Sequence, residues 1–267
     1  GDGTISTDPN SAYLMAAWAG NGGNYGDPFL KDWSPNASDF TKVGSVASNG
    51  TAGNLHFYHR VGEFSSADAA LISATDTDYA GGTGKYTWEL WFMLKKSLFT
   101  HGNTGYIVDM RDGGSNGHQG YAHMSYMVDG AGPTNSLMLG ASGSSNQGNH
   151  AAINENQWYH LACVREGTGT NEMKFYLDGT FYYAVTEPKD SDLDHFVIGN
   201  VYSYDQYDYG FPGYIEDFRY YKGIAKYTSD FQVPARNDWI PTKVASSTQK
   251  AELILFNNSN SNLTDDK

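Results

Sequence analysis

Residues 158–185 decide the fold; they read Trp-Tyr-His-Leu-Ala-Cys-Val-Arg-Glu-Gly-Thr-Gly-Thr-Asn-Glu-Met-Lys-Phe-Tyr-Leu-Asp-Gly-Thr-Phe-Tyr-Tyr-Ala-Val. Their first part, residues 158–165, fits the two-residue period of a strand, in which Trp158 and His160 face one way and Tyr159 and Leu161 face the other. This pattern predicts a strand with two different faces.

A hairpin is predicted immediately downstream. Asp178-Gly179 follows the short strand 174–177, and an Asp-Gly pair between two apolar runs is among the strongest hairpin signals. On the returning strand, alternation predicts that Phe181, Tyr183 and Val185 share one face. Together these pieces predict an antiparallel meander.

Further short strands are spread along the chain between loops rich in Gly, Ser and Asn. The most apolar is residues 86–94, and a long aromatic strand is expected at residues 213–223. Helical periodicity is nearly absent. Short, regularly spaced strands favour an all-β antiparallel sandwich of two sheets. The other predicted strands are residues 13–18, 55–64, 70–73, 106–110, 121–128 and 137–139.

The order of these pieces resembles the laminin-G-like branch of the concanavalin-A-like jelly-roll domains. Three segments carry the resemblance: the strand 158–165, the Leu-Asp-Gly hairpin and the closing Gly-Tyr-Ile-Glu-Asp-Phe-Arg-Tyr-Tyr of residues 213–221. Residues 220–234 (Tyr-Tyr-Lys-Gly-Ile-Ala-Lys-Tyr-Thr-Ser-Asp-Phe-Gln-Val-Pro) look more particularly like the version in tailed-phage and other virion proteins. The resemblance covers residues 13–240 and implies a two-sheet jelly roll.

Charge and cysteine content exclude several classes of protein. The formal net charge is −13 with 17 Lys and Arg, which disfavours binding to nucleic acid or to an anionic membrane surface. No apolar run approaches the about 20 residues that a membrane helix needs. The single cysteine, Cys163, rules out a disulfide within the chain and is expected to be a buried thiol.

The predicted domain organisation has four parts. Residues 1–12 are an arm or linker, residues 13–240 the jelly-roll domain and residues 241–250 a second linker. Residues 251–267 begin like the start of the chain, so they are either the beginning of a second, similar domain or a terminal strand of the first.

The sequence predicts that the protein is not an enzyme. Glycoside hydrolases need two carboxylates across the scissile bond, and on this fold these usually lie on one strand as Glu-x-Asp-x-x-Glu, which is absent. Asp76 and Asp78 lie in a Gly-rich loop, whereas Glu216 and Asp217 are adjacent and are expected to face opposite sides. A degenerate glycosidase is the alternative.

A structural calcium ion is implied by the resemblance, since related domains often hold one at the edge of the sandwich. The matching positions are Asp32 and either Glu216 or Asp217, with Asn21 and Asp27 on a neighbouring loop. The alternative is that Asp32 caps a turn through its own backbone and that Glu216 pairs with Arg219.

The candidate ligand site is the Tyr-rich segment 202–211. Tyrosine faces stack on sugars, and Asp and Gln accept hydrogen bonds from sugar hydroxyls, although such loops also make good protein contacts. The residues predicted to bind ligand are Tyr202, Tyr204, Asp205, Gln206, Tyr207 and Tyr209.

Together with these observations, the resemblance to tailed-phage virion proteins implies a non-enzymatic virion surface protein: a fibre, appendage or capsid decoration present in many copies. Its partners would be host-surface glycan or neighbouring virion proteins, bound through the end loops, and no cofactor is expected beyond calcium. The alternatives are a purely structural virion component and a secreted or cell-surface lectin-like module, in which sequons such as those at Asn36 and Asn49 could be glycosylated.

Overall fold

The strands described below belong to a computed structural model. It describes residues 9–18, 20, 29–30, 32, 34, 38–51, 60–99, 104–110, 121–125, 135–140, 151–188, 190–191, 194–203, 206–207 and 209–234. The predicted linker 241–250 and tail 251–267, and most of the arm 1–12, lie outside these residues. Those parts of the domain organisation therefore stay predictions.

Strands dominate the described residues, with two short 3-10 turns at Ser11–Tyr13 and Thr77–Tyr79. The predicted strands 86–94 and 158–165 have the same bounds in the structure. The strands are β1 Leu14–Trp18, β2 Thr41–Val43, β3 Val46–Asn49, β4 Val61–Phe64, β5 Ala70–Ile72, β6 Tyr86–Leu94, β7 Thr104–Asp109, β8 Tyr121–Ser125, β9 Ser136–Gly140, β10 Ala151–Ala152, β11 Trp158–Arg165, β12 Met173–Leu177, β13 Thr180–Val185, β14 Val197–Ile198, β15 Tyr202–Ser203, β16 Gln206–Tyr207 and β17 Gly213–Lys222.

Two antiparallel sheets form the domain, as the sequence predicts. The eight-stranded sheet A has the order β13-β12-β11-β6-β17-β4-β3, and β1 also pairs with β17. The seven-stranded sheet B has the order β10-β9-β8-β7-β14-β5-β2. A small separate ribbon pairs β15 with β16. The all-β, two-sheet sandwich is therefore confirmed.

The hydrophobic core lies between the sheets and follows the predicted alternation. On β11, Leu161 and Cys163 face sheet B and are fully buried. On β6, Trp88, Leu90 and Phe92 do the same. The opposite side of sheet A, here called the outer face, carries the intervening residues of these strands. Burying this much aromatic and aliphatic surface is the main source of stability in such a sandwich.

A β-bulge in β13 changes one predicted face. Tyr176 pairs with Phe181 and Phe175 pairs with Tyr183, so Tyr182 is an extra residue between them. Phe181 accordingly packs edge-to-face on Tyr176 on the outer face, with the two ring centroids 6.0 Å apart. Tyr183 instead packs against the core. The prediction that Phe181 and Tyr183 share a face is wrong, because a bulge shifts the two-residue period by one.

A second bulge in β17 corrects the prediction for Glu216 and Asp217. The register shifts between Glu216, which pairs with Trp91, and Arg219, which pairs with Glu89. Asp217 takes up the shift with a positive φ of 56°. Its carboxylate binds the Arg219 guanidinium, so Glu216 and Asp217 lie on the same, outer side of the sheet instead of on opposite sides.

No helix within the described residues is long and apolar enough to cross a membrane. Cys163 is a free thiol in the core, as predicted, and burial raises its pKa well above the usual value. A neutral, inaccessible thiol behaves as a small apolar side chain.

Candidate functional site

The Tyr-rich ribbon, defined as residues 201–209, connects strand β14 of sheet B to strand β17 of sheet A. Within it Tyr202 pairs with Tyr207 and Ser203 with Gln206, so the backbone forms a tight antiparallel hairpin. Only residues 204 and 205 separate the two short strands. The described residues of the segment therefore pair as two short antiparallel strands and are not an irregular loop.

Asn200 closes the base of this hairpin. Its Oδ1 accepts hydrogen bonds from the backbone N–H groups of Val201, at 2.8 Å, and Tyr209, at 3.0 Å. Its Nδ2 donates to the carbonyl oxygens of Ala67, at 2.9 Å, and Ala69, at 3.1 Å. An amide side chain can make four hydrogen bonds, and all four positions of this fully buried residue are used. One side chain thus joins both ends of the ribbon to the loop between β4 and β5.

Two glycines let the base of the ribbon sit close to its neighbours. A Cβ on Gly210 would lie 2.5 Å from the carbonyl oxygen of Ser66, so no other residue fits without movement. Gly199 has a φ of +80°, and a Cβ there would overlap the ring of Phe64. Gly210 N–H donates to Ala67 at 2.9 Å, next to the bond from Asn200. The ribbon therefore leaves the sandwich from a rigid base.

Tyr209 is the predicted ligand residue whose side chain the structure describes. It is 41% exposed, which is unusual for a large hydrophobic residue of this domain. The Tyr209 carbonyl accepts a 2.9 Å hydrogen bond from the backbone N–H of Tyr106 in β7. The two rings pack edge-to-face, with their centroids 6.2 Å apart. Tyr106 was not predicted, because nothing in the sequence of β7 indicates that it adjoins residues a hundred positions downstream.

The remaining predicted ligand residues are described in part. The backbones of Tyr202, Gln206 and Tyr207 lie in the hairpin, with Tyr202 and Tyr207 opposite each other in register. Tyr204 and Asp205 lie outside the described residues. The assignment of these five side chains to ligand binding stays a prediction.

Asp32, a predicted metal ligand, is buried and already bonded to protein groups. Its Oδ1 accepts from the N–H groups of Ala17, at 2.9 Å, and Ser34, at 2.8 Å. Its Oδ2 accepts from the Ser34 hydroxyl at 2.9 Å. Burial raises the pKa of Asp32, although these hydrogen bonds act in the opposite direction. This carboxylate joins β1 to the turn at Ser34, which is the alternative role given to it above.

Asp217, the second predicted metal ligand, makes a bidentate ion pair with Arg219 on the outer face. The Arg219 Nε donates to Asp217 Oδ1 at 3.0 Å, and Nη2 donates to Oδ2. Glu216, the preceding residue and another predicted ligand, is fully buried. Asn21, the remaining predicted ligand, lies outside the described residues. Within the described ranges, no group of three or more His, Cys, Asp or Glu is arranged to hold a metal ion. A calcium site stays a prediction, since backbone carbonyl and amide oxygens also bind this ion.

A buried charged cluster on the outer face was missed by sequence reasoning. Its centre is Glu89 of β6, which is 1% exposed. Glu89 Oε1 accepts from Lys226 Nζ at 2.6 Å, and Oε2 accepts from the Tyr227 hydroxyl at 2.6 Å. Arg219 Nη1 and His160 Nε2 each lie 3.5 Å from the same carboxylate. We call Glu89, His160, Asp217, Arg219, Lys226 and Tyr227 the outer-face cluster.

A C-terminal segment covers this cluster. Residues 224–234, here called the strap, run across the outer face, where Tyr227 and Phe231 pack on Tyr176 and the neighbouring strand β11. The strap is fixed at one end because Thr87 Oγ1 donates to the Ile224 carbonyl and accepts from Lys226 N–H at 2.9 Å. At the other end Phe231 N–H donates to the Gly179 carbonyl at 2.8 Å. The strap, which is far from Glu89 in sequence, thus covers this residue in the fold.

The pKa values of Glu89 and Tyr227 reflect this burial and the charges around them. Burial by itself raises the pKa of Glu89, but Lys226, the hydrogen bond from His160 and Arg219 together hold the pKa well below its usual range. Burial and the adjacent Glu89 charge raise the pKa of Tyr227, which stays a neutral donor. Paired in this way, Glu89 acts as the acceptor that holds the strap to the sheet.

The two antiparallel sheets with a core between them define the protein as an all-β sandwich. The sequence pattern of the concanavalin A-like lectin/glucanases superfamily matches residues 64–226. This is more than half of the 267 residues, and the chain belongs to that superfamily. The predicted resemblance is thereby confirmed at the level of the family. No curated protein sequence matches the chain.

Solved structures with the same fold include a domain of an arabinanase and the binding domain of a neurotoxin. One is domain 4 of AbnA, a GH43 extracellular arabinanase from Geobacillus stearothermophilus, in complex with arabinotriose: the TM-score is 0.50 at 19% identity, covering 79% of this chain and 92% of that chain. The binding domain of botulinum neurotoxin DC in complex with rat synaptotagmin II gives 0.54 at 15% identity, covering 80% and 49%. The same toxin domain in complex with SialylT gives 0.53 at 16% identity, covering 80% and 49%.

These similarities concern the fold. At identities of 15 to 19% they carry no assignment of individual residues. The chain spans about half the length of the neurotoxin binding domains, at 49%.

Proposed function

We propose that this chain is a non-enzymatic carbohydrate-binding domain that binds glycan through the Tyr-rich ribbon. The observation that carries the proposal is the exposed ring of Tyr209, held beside Tyr106 on a hairpin whose base is fixed by Asn200. An aromatic face that is exposed but rigid can stack on a sugar ring without a large loss of side-chain freedom. The polar residues of the same hairpin would accept hydrogen bonds from the sugar hydroxyls.

Two of the structural neighbours support this choice of ligand class. AbnA domain 4 was solved with arabinotriose and the neurotoxin binding domain with SialylT, so two domains of this fold hold oligosaccharides. The neurotoxin domain was also solved with a protein, rat synaptotagmin II. A protein ligand at the ribbon is therefore the second candidate, and the experiment below distinguishes the two.

We further propose that the domain is displayed in many copies on the surface of a virion. The support is the resemblance of residues 220–234 to the tailed-phage version of this domain, given in the sequence analysis; this segment forms the end of β17 and the strap. Weak single-site binding would then be multiplied by copy number. The remaining alternative is an extracellular lectin-like module.

A glycan array tests the proposed ligand class. The chain, presented multivalently on beads, is expected to bind a subset of neutral or sialylated oligosaccharides, and Tyr209→Ala is expected to lose that signal. The matched control is Tyr13→Ala, which removes another exposed tyrosine far from the ribbon in sequence. A chain that binds no glycan but binds a virion subunit through the same tyrosine would support the protein ligand instead.

Calcium remains a separate proposal with a separate test. If a structural ion is bound, the melting temperature should rise with millimolar calcium and fall back when EDTA is added. An unchanged melting temperature would remove calcium from the description of this domain.

A further inference from the structure

One side chain, that of Asn200, joins both ends of the ribbon to the sandwich. Both ends of the ribbon donate to the same oxygen, Asn200 Oδ1, and the same amide docks the ribbon on the carbonyls of Ala67 and Ala69. Asn200 is fully buried and so cannot itself touch a ligand in solution. Its effect on binding would have to pass through the position of the ribbon.

The surrounding backbone repeats the same connection. Ala67 accepts from both Asn200 and Gly210, and Phe211 N–H donates to the Gly199 carbonyl at 2.8 Å. Gly199 N–H donates in turn to Ile107 of β7, the strand that carries Tyr106. These contacts place the base of the ribbon and the Tyr106 strand in one rigid unit, with Asn200 at the junction.

We propose that Asn200 is the positioning residue of the ligand site: it sets the distance and angle between the ring of Tyr209 and the ring of Tyr106. This inference rests on the proposed function. A buried donor or acceptor left without its partner is costly, so the arrangement has one favoured geometry in the free protein. The arrangement of Tyr209 beside Tyr106 is therefore formed before ligand arrives, and binding does not have to order these two residues.

The test compares two variants that both destabilise the fold. Asn200→Ala removes all four side-chain hydrogen bonds, whereas Ile198→Ala leaves a cavity in the core two residues earlier, where Ile198 is fully buried. Dissociation constants are measured by calorimetry at a temperature where both variants are folded. The probes are arabinotriose, SialylT and the strongest ligand of the glycan array.

Asn200→Ala is expected to bind at least tenfold more weakly than the wild type, while Ile198→Ala stays within twofold despite a lower melting temperature. Equal binding by Asn200→Ala and the wild type would overturn the positioning role, and so would an equal loss in Ile198→Ala. If the wild type itself binds none of the probes, the proposed function is wrong and this inference falls with it.

Hydrogen exchange of the wild type keeps the inference testable if Asn200→Ala does not fold. Because one oxygen accepts from both Val201 and Tyr209, a single opening event should release both amides. Their protection factors are expected to agree within about threefold, and saturating ligand should slow both equally. Protection factors that differ by more than tenfold, or that change with ligand at only one of the two amides, would contradict the positioning role of Asn200.

Discussion

The Tyr-rich ribbon and the outer-face cluster contain the same kinds of residue in opposite situations. In the cluster, Tyr227 of the strap donates to Glu89, and the strap covers this carboxylate, which is 1% exposed. At the ribbon, Tyr209 is 41% exposed, and its backbone N–H donates to Asn200 at the base of the hairpin. Tyrosine near acidic residues in the sequence is therefore not in itself a binding site; the two regions differ in how far another part of the chain covers the side chains.

The comparison assigns different roles to the two regions. Removing a member of the cluster should change the stability of the fold and leave ligand binding by folded molecules intact. Removing an exposed ribbon side chain should do the reverse. The predictions below test this separation.

The largest effect is expected for Glu89→Ala. This change leaves Lys226 and Arg219 buried without their shared carboxylate, and breaking a buried ion pair on one side costs about 3–5 kcal/mol of unfolding free energy. Urea unfolding followed by tryptophan fluorescence measures the loss. The matched control, Glu166→Ala, removes one partner of the more exposed pair with Lys174 and should cost less than about 1 kcal/mol. Equal losses of unfolding free energy in the two variants would contradict the structural role assigned to Glu89 in the outer-face cluster.

Protonating Glu89 is the milder form of the same experiment. Its pKa is lowered in the folded state, so its contribution to stability is fully present above about pH 4.5 and is lost as the pH falls towards the folded-state pKa. The advantage of the wild type over Glu89→Gln should therefore shrink below pH 4.5 in urea titrations. Asp32 has a raised pKa, so its contribution has the opposite sign and is lost as the pH rises, which is why the Gln variant is needed as the reference. A constant difference from pH 7 to 3 would contradict the assigned role.

Tyr227→Phe removes only one hydroxyl from the cluster. The lost hydrogen bond has a charged acceptor at 2.6 Å, and such bonds contribute about 1.5–3 kcal/mol. Thermal and urea unfolding should both report the loss. Tyr209→Phe is the control in the other region, where the expected change in stability is below about 0.5 kcal/mol because the side chain is exposed. A Tyr227→Phe variant as stable as the wild type would show that the strap does not depend on this contact.

Tyr209→Ala completes the comparison with the smallest effect on free energy. We expect binding to any glycan identified on the array to weaken about tenfold, equivalent to about 1.4 kcal/mol, with little change in unfolding free energy. Calorimetry gives the first quantity and urea unfolding the second. Unchanged affinity together with a large loss of stability would mean that Tyr209 belongs with the structural residues.

The sequence predicts the strands well where alternation is uninterrupted. Strands β6 and β11 have their predicted bounds because apolar residues on both sides of sheet A make the runs continuous. The bulge at Asp217 escapes prediction, since a non-glycine residue at positive φ leaves no trace in the pattern. The partner of Glu89 escapes it as well, because Lys226 lies 137 positions away in sequence.

The candidate site was predicted as a segment and not as a geometry. The composition of residues 202–211 points to a binding loop, but the roles of Asn200 and Tyr106 depend on which backbone groups the fold brings within hydrogen-bond distance. Those distances come from the packing of two sheets, which local sequence does not encode.

The buried Cys163 has a practical consequence for studying this domain. Its thiol is inaccessible and its raised pKa keeps it protonated, whereas alkylating reagents attack the exposed thiolate. A cysteine introduced on the surface would therefore carry the single reactive thiol of the folded chain. Fluorophores or surface anchors could be attached at a chosen point, with the ribbon directed away from the support, and no background substitution would be required.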